Sequence, residues 1–492
     1  MRGRKSSDMR TSTAFAPWIA TAAKAAVALA AALLCAACSP SEPGPAEGPA
    51  QNVVILCIDT LRADHVGAYG YERETTPFVD GLASGGAVFE NAYAHSNWTV
   101  PSTASLLTSL YPSEHGAGIE GEVRLLGEST PVLQIRDKVE TLATHLRRAG
   151  FRTGLFSANP FLFGRFKQDF DAAEVARRNA TELTSSALRW LDQAGSDRFF
   201  LYLQYMDLHQ PLEPPPPFFD LFEVEEGGVR GREHTDWSFG GVKDQRDLED
   251  PSFRRYRAHR VALYDGALRY IDEEIRRLYR RLEETGRARQ TLLVITSDHG
   301  EEFWDHALAE HASGDDPRGY WGIGHGHTMF EELLRVPLIL HGPGVVGNRR
   351  VACIGRQIDV VPTALDLLGV ARPPGLRGRS LASLLAESSE SKDCPAAVPV
   401  IAESPAYGPD SKAVIWKGRK LIVRGKGEEL LFDLRQDPGE SRNLAGSHPD
   451  LAAALRAILE RELAGMTTRG KSDAMDLDEE TKRQLRALGY LN

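Results

Sequence analysis

Apolar runs alternate with amphipathic segments along most of the chain. Runs rich in β-branched and aromatic residues predict buried strands at 52–58, 151–157, 199–206, 290–297 and 336–340. Apolar residues at helical spacing predict helices at 142–149, 181–194, 264–284 and 360–368. Strands that alternate with helices predict an α/β fold, in which helices sandwich a large, mostly parallel sheet.

The pattern changes after about residue 375. Short apolar runs at 413–415, 420–424 and 430–434 are separated by turns that contain Gly and Lys, and a helical segment follows at 451–463. This order predicts a small antiparallel sheet closed by a helix. We therefore divide the folded part of the chain into a large α/β domain, 52–375, and a C-terminal subdomain, 376–492.

The first 51 residues have a different character. A basic start precedes an apolar stretch at 25–37, which is too short to span a bilayer comfortably. Its end, Leu-Cys-Ala-Ala-Cys-Ser, resembles a bacterial lipoprotein signal that would be acylated at Cys38. We interpret 1–38 as a signal segment and the Pro- and Gly-rich 39–51 as a tether. A plain secretory signal is the alternative, and either interpretation predicts export, the first as a membrane-anchored lipoprotein on the periplasmic or outer-membrane face.

Composition limits the partners. The chain has 492 residues, 42% of them hydrophobic, which is enough for a large core. The formal net charge of -10 argues against nucleic acid as a partner, because there is no basic surplus to bind phosphate backbones.

Cys57 lies in an apolar run and is expected in the core. Cys353 and Cys394 could form a disulfide in an oxidising compartment.

Thr99 lies just before a predicted helix that begins with Pro101. Proline in the first turn sets the helical backbone, and the free N–H groups and the helix dipole favour an anion there. A threonine hydroxyl becomes a nucleophile when a metal ion or a base lowers its pKa. The alternative is that Thr99 only caps the helix, which is a common role for threonine.

Two carboxylates and an imidazole follow predicted buried strands. Asp59 ends one strand, and Asp298 and His299 end another. Active sites of α/β folds lie at the carboxyl ends of the strands, so we expect these side chains at one site. Carboxylate and imidazole together favour Zn²⁺ or Mn²⁺, although Ca²⁺ or Mg²⁺ stays possible. Turn, cap and packing roles are the alternatives.

A second group of polar residues lies in similar settings. Asp207 and His209 follow another predicted strand, and His325 and His327 lie in a Gly-His-Gly-His-Thr segment. These residues could hold an anionic group or protonate a leaving group. If Asp207 or Glu302 joins one of the histidines, a second metal ion could bind. Histidines of surface loops are the alternative.

Several separated motifs resemble those of the sulfatase family, within the alkaline phosphatase superfamily. Segments 59–71 and 297–303 look like its two metal motifs, segment 99–116 like its nucleophile motif, and segments 334–338 and 437–444 complete the series in the family's order. The resemblance runs from about 52 to 463 and implies that 52–375 is a catalytic domain.

The resemblance also implies roles for single residues. The expected metal ligands are Asp59, Thr99, Asp298 and His299. Thr99 is the expected nucleophile, and His209 or His325 the expected proton donor.

The departures from the family pattern affect the chemistry. Sulfatases convert a Cys or Ser to formylglycine, but Thr99 occupies that position here and threonine is not a substrate for the conversion. Thr103 stands where the family has the arginine that supports the aldehyde hydrate. Thr60 replaces the second aspartate of the usual pair, and His299 stands where many calcium sulfatases carry Asn.

These departures favour phosphorus over sulfur. A threonine has no second hydroxyl across which sulfate could be eliminated, so water must break its covalent ester, as in phosphoryl-transferring relatives. We expect a metal-dependent hydrolase or transferase without formylglycine that acts on phosphoesters or phosphonate esters. Its substrate would be a small anionic ester or a lipid or glycan headgroup. The alternatives are a sulfatase that works with Thr99 and a non-catalytic, surface-tethered binding lipoprotein.

Overall fold

The structure is a computed structural model. It describes residues 49–487 apart from 122, 127–129, 163, 223–246, 315, 320, 387–393, 395–396 and 426. The predicted signal segment and most of the predicted tether therefore lie outside the described residues. No helix within the described ranges has the length and apolar character that a membrane crossing requires.

The strands are short and spread over the whole described chain. They are β1 (Asn52–Ile58), β2 (Ala87–Phe89), β3 (Ala92–Tyr93), β4 (Val123–Leu125), β5 (Arg152–Ser157), β6 (Ala172–Val175), β7 (Phe199–Tyr205), β8 (Thr291–Thr296), β9 (Glu302–Phe303), β10 (Ile323–Gly324), β11 (Leu338–His341), β12 (Arg349–Val351), β13 (Gly355–Arg356), β14 (Val400–Ala402), β15 (Tyr407–Pro409), β16 (Ser411–Trp416), β17 (Arg419–Arg424) and β18 (Glu428–Asp433). The five strands predicted for the main domain are all present, with ends shifted by at most a few residues.

The helices alternate with these strands. They are α1 (Pro77–Ser84), α2 (Thr99–Thr108), α3 (Pro112–His115), α4 (Leu142–Arg148), α5 (Arg165–Gln168), α6 (Ala180–Gln193), α7 (Pro251–Glu284), α8 (Ala307–Ser313), α9 (Glu331–Leu334), α10 (Val360–Leu367), α11 (Ala382–Ala386), α12 (Pro449–Ala464) and α13 (Glu479–Ala487). The long helix α7 begins at Pro251, well before the predicted start at 264. Its added turns bury Phe253 and Tyr256, which extend the apolar face.

Eight strands form the main sheet, in the order β12-β2-β11-β8-β1-β7-β5-β6. The sheet is mixed, because β11 runs antiparallel to both β8 and β2 while the other pairs are parallel. With helices on its faces, this is the predicted α/β sandwich. The sequence pattern did not reveal the direction of β11, since a buried strand has the same composition in either direction.

Strand β1 lies at the centre of this sheet. All seven of its residues are buried, which explains the continuous apolar run that predicted it. It pairs in parallel with β7 on one side and with β8 on the other. The carboxyl ends of these three strands therefore meet at one edge of the sheet.

The C-terminal region forms a separate four-stranded antiparallel sheet, in the order β14-β16-β17-β18. Three of its strands and the closing helix α12 were predicted, and β14 is an addition. The sheet packs on the main domain through an apolar cluster that includes Tyr93, Met329 and Phe330. The described residues belong to one compact unit, so the boundary between 375 and 376 stays a prediction.

The cysteines fall into two groups. Cys353 and Cys394 form a disulfide with a Cα–Cα distance of 5.3 Å, within the usual range for such bonds. Cys57 is free and fully buried in β1, as its apolar surroundings predicted.

Candidate active site

The candidate active site lies where β1, β5, β7 and β8 end. Asp59 directly follows β1, and Asp298 and His299 follow β8. Asn159 lies two residues beyond β5, and Gln204 is the last residue but one of β7. All five residues are fully buried.

Helix α2 brings Thr99 to these residues. The helix begins at Thr99 itself, and the residue before it, Trp98, is the N-cap. Thr99 is therefore not the helix cap, and the capping alternative is wrong. Its hydroxyl oxygen instead lies 3.4 Å from Asp59 Oδ2, 3.3 Å from His299 Nε2 and 3.1 Å from Asn159 Nδ2.

Asp59, Asp298 and His299 form a group that could hold a metal ion, because one ligand atom from each lies within 4.8 Å of the others. His299 Nε2 is 3.7 Å from Asp59 Oδ1 and 3.6 Å from Asp298 Oδ2. Asp59 Oδ1 is buried and accepts no hydrogen bond among the described residues. A buried carboxylate oxygen without a donor calls for a cation, so these residues fit a divalent metal ion.

The pKa values of the two aspartates also indicate a site for a cation. Burial, and then the charge of Asp298, raises the pKa of Asp59 to about 8. Burial raises the pKa of Asp298 to about 7. Two desolvated carboxylates side by side favour protonation or a counter-cation, and a cation between them would restore both charges.

The ring of His299 is oriented for coordination. Its Nδ1 lies 2.9 Å from the carbonyl oxygen of Gly300, so Nδ1–H donates to that oxygen and Nε2 carries the lone pair. Nε2 faces the two aspartates and the Thr99 hydroxyl. This is the tautomer that a metal-binding imidazole needs.

Asn159 and Gln204 were missed by the sequence reasoning. The Asn159 amide donates to both Asp59 Oδ2, at 2.8 Å, and Thr99 Oγ1. The Gln204 amide donates to Asp59 Oδ2 at 3.0 Å and to Asp298 Oδ2 at 3.2 Å. Two signals could have found them: Asn159 follows a predicted strand, and Gln204 is a lone amide in an apolar run.

The turn that carries Asp59 is strained. Thr60 has φ 61°, a left-handed conformation that is costly for a β-branched residue. Its carbonyl accepts a hydrogen bond from the Tyr264 hydroxyl at 2.8 Å, and its N–H points at Asp298 Oδ1 at 3.4 Å. The left-handed turn thus places the backbone next to Asp298, the second carboxylate of the candidate metal group.

His209 and His325 lie beside this group. The ring of His325 is 4.4 Å from that of His299 and 5.0 Å from that of His209, measured between centroids. Glu301 Oε1 lies 3.3 Å from His325 Nδ1, so that this carboxylate orients the ring. Burial, with the neighbouring histidine charges, lowers the pKa of His325 well below its usual range and that of His209 to about 3.

Asp207 and His327 lie outside this group. One oxygen of Asp207 accepts from the N–H of Ala180, the first residue of α6, at 3.0 Å. His327 Nε2 instead faces the carboxylates of Glu302, at 2.9 Å, and Glu310, at 3.3 Å. The structure therefore does not bring together the four residues predicted for a second metal or anion site, but it does bring Glu302, the other predicted carboxylate, to His327.

Two family patterns match the chain. The one described as Sulfatase covers residues 51–370, which is more than half of the chain. The one described as N-sulphoglucosamine sulphohydrolase, C-terminal, covers residues 319–468. The second match includes the strands of the C-terminal sheet.

Individual proteins agree with this match. An arylsulfatase of Clostridium perfringens is 25% identical over 84% of this chain and 94% of its own length. A structure solved with its substrate, D-glucosamine-2-N,6-O-disulfate, has a TM-score of 0.65 at 20% identity and covers 85% of this chain and 98% of that one. The phosphonate monoester hydrolase SpPMH of Silicibacter pomeroyi has a TM-score of 0.64 at 23% identity and covers 86% and 99%.

Proposed function

The chain belongs to the sulfatase family of hydrolases, and we propose that it cleaves phosphoesters or phosphonate esters with Thr99 as the nucleophile. The observation that carries the proposal is the position of the Thr99 hydroxyl, which is fully buried between Asp59, His299 and Asn159. A buried threonine at the first residue of a helix has no packing reason to contact two metal-binding side chains.

Asp59, Asp298 and His299 would hold the divalent ion. The imidazole nitrogen among its ligands favours Zn²⁺ or Mn²⁺ over Ca²⁺. Bound there, the ion supplies positive charge that lowers the pKa of a neighbouring hydroxyl and offsets charge on the ester oxygens.

The attack would proceed in line from Thr99. Asp59 Oδ2, 3.4 Å from Thr99 Oγ1, would accept the hydroxyl proton, and the Asn159 amide donates to Thr99 Oγ1 and stabilises its deprotonated form. A Thr–O–P bond forms as the bond from phosphorus to the leaving oxygen breaks. Water, or an acceptor alcohol, then cleaves the covalent ester.

His325 is the better placed of the two candidate proton donors. Glu301 Oε1 lies 3.3 Å from its Nδ1 and orients the ring, and the protonated ring would pass a proton to the leaving oxygen. An anionic ester beside the ring would favour its protonated form. The ring of His209 packs against His325, while His209 Nδ1 lies 2.8 Å from the carbonyl oxygen of Gln210.

The preference for phosphorus rests on residue 99. Threonine offers a single hydroxyl. It therefore cannot release sulfate by elimination from an aldehyde hydrate, which is how formylglycine enzymes release it. Thr103, one turn further along α2, takes the place of the arginine that would support such a hydrate. The similarity to a phosphonate monoester hydrolase supports this reading.

Sulfate ester hydrolysis is the second candidate. The curated relatives include arylsulfatases, and one similar structure contains a sulfated glucosamine. Under this alternative, Thr99 would form a sulfo-enzyme that water breaks directly. A glycan or lipid headgroup that carries an anionic ester fits either candidate.

A parallel turnover assay tests the choice. The metal-loaded protein is given an aryl sulfate, a phosphate monoester, a phosphate diester and a phosphonate monoester. We expect the phosphorus esters to be preferred and Thr99→Ala to abolish turnover, while Thr103→Val, which removes a buried hydroxyl of the same helix, keeps it. Full activity in Thr99→Ala would exclude the nucleophile, and sulfate release lost in Thr99→Ala would reverse the ranking.

We also propose that the protein is exported and anchored through an acylated Cys38. The apolar stretch and the small residues before this cysteine support the proposal. Expressed in a bacterial host, the full chain should fractionate with membranes, and Cys38→Ser should release it into the soluble fraction. Equal membrane association of both chains would contradict the anchor.

A further inference from the structure

A second group of side chains that could hold a metal ion lies outside the Asp59 group. It consists of Glu302, at the start of β9, Glu310 in α8, and His327 just after β10. Their ligand atoms lie within 4.8 Å of one another. The side chains are at most 4% exposed, so water does not solvate their charges.

Each carboxylate has one oxygen fixed by the backbone and the other turned toward the histidine. Glu302 Oε1 accepts from the N–H of His306 at 3.0 Å, and Glu310 Oε2 accepts from the N–H of Gly322 at 2.8 Å. The remaining oxygens face His327 Nε2, at 2.9 Å for Glu302 and at 3.3 Å for Glu310. The three ligand atoms thus converge on one point.

One carboxylate oxygen of this arrangement has no hydrogen-bond donor among the described residues. Nε2 can carry a single hydrogen, and the shorter distance assigns that hydrogen to Glu302. Glu310 Oε1 accepts no hydrogen bond from any described residue. A buried carboxylate oxygen without a donor, beside a second carboxylate, is costly unless a cation is present, either the protonated imidazole of His327 or a bound metal ion.

We propose that Glu302, Glu310 and His327 bind a second divalent cation of the Zn²⁺ or Mn²⁺ class. Ligand atoms that share a metal ion at ~2.1 Å lie ~3.0 Å apart in octahedral and ~3.4 Å apart in tetrahedral coordination. The two distances from Nε2 fall at these values. Two carboxylates and one imidazole are a donor set that first-row ions accept.

The cation would join three separate segments. One of them carries His325, which lies two residues before His327. The ring of His325 packs against the ring of His299. Another begins with Glu302, three residues after His299 in the chain. The second ion would therefore hold the histidine segment against the active site without contacting substrate. Binding of this second ion does not depend on which residue is the nucleophile.

Metal counting on single variants tests the inference. Full-length protein is incubated with Zn²⁺, desalted and analysed for zinc per chain by mass spectrometry. We expect Glu310→Gln and Asp298→Asn each to bind one ion fewer than the unchanged protein, and the double variant to bind two fewer. The matched control is His311→Gln, which changes the next residue of α8 and should keep both ions.

The outcomes separate the two sites. If Glu310→Gln binds as much zinc as the unchanged protein, the second site is excluded. Glu302, Glu310 and His327 are then held together by shared protons and not by a metal ion. If Asp298→Asn loses no zinc, the metal assignment under the proposed function fails, whatever happens at Glu310. Added Zn²⁺ should also raise the Tm of Asp298→Asn but not that of the double variant. Glu302→Gln repeats the test if Glu310→Gln does not fold.

Discussion

The hydroxyl of Tyr264 holds the turn that carries Asp59, and its removal tests how the site is supported. The side chain extends from α7 and is fully buried. Its hydroxyl donates to the carbonyl of Thr60 at 2.8 Å and accepts from the N–H of Arg62 at 3.0 Å. Tyr264→Phe deletes only this oxygen, so the ring keeps its packing against Phe303.

The expected cost follows from these two hydrogen bonds. Without the hydroxyl, the carbonyl of Thr60 and the N–H of Arg62 lose their side-chain partner in the interior. Each buried unsatisfied group costs about 1–3 kcal/mol. Partial relaxation of the left-handed Thr60 would recover part of this cost. We expect the free energy of unfolding to fall by about 3 kcal/mol.

Urea unfolding at pH 7 measures the change, as a lower midpoint with an unchanged slope. The matched control is Tyr279→Phe on the same helix, where the partly exposed hydroxyl contacts His341 Nε2 at 3.1 Å and water can replace it. The control should cost less than about 1 kcal/mol. Turnover should also fall in Tyr264→Phe, because Asp59 and Asp298 lose their fixed separation. A cost for Tyr264→Phe no larger than that of the control would refute the reasoning.

Three further predictions concern other parts of the molecule. Asn159→Ala should lower kcat about 100-fold, since Thr99 Oγ1 loses its amide donor, and unchanged kcat would contradict this. Replacing Cys353 and Cys394 together by Ser should cost about 4 kcal/mol in urea, because their bond closes a loop with a sequence separation of 41. Burial raises the pKa of Asp272 to about 6, so its contribution to stability is lost as pH rises from 4 to 7. Relative to Asp272→Asn, the unchanged protein should lose about 2 kcal/mol over that range, and parallel pH curves would contradict the assignment.

The sequence predicted the part of the site that follows strong strand patterns. Asp59, Asp298 and His299 were expected together because each follows a continuous apolar run, and carboxyl ends of parallel strands meet. Thr99 was located by the proline two residues later, although the helix begins at Thr99 and not at Pro101.

The remaining features depend on contacts that a local pattern does not encode. Asp207 also follows a strand, but its carboxylate is used by the first turn of α6. Glu310 lies in a short helix with no clear apolar period, and its partner His327 lies on a separate segment beyond that helix. The edge strand β12 and its neighbour β2 have three residues each, too few to show an alternation.

The central position of β1 has a consequence for how the protein is made. Its hydrogen-bonding partners are residues 199–205 and 291–296, which are synthesised long after β1 itself. Contacts between such distant segments form late and slowly during folding. A nascent chain therefore cannot assemble the Asp59 group until Asp298 and His299 have emerged, and a fragment that stops before β8 should have no metal affinity at this site. Activity thus reports completed synthesis and folding of the whole sheet.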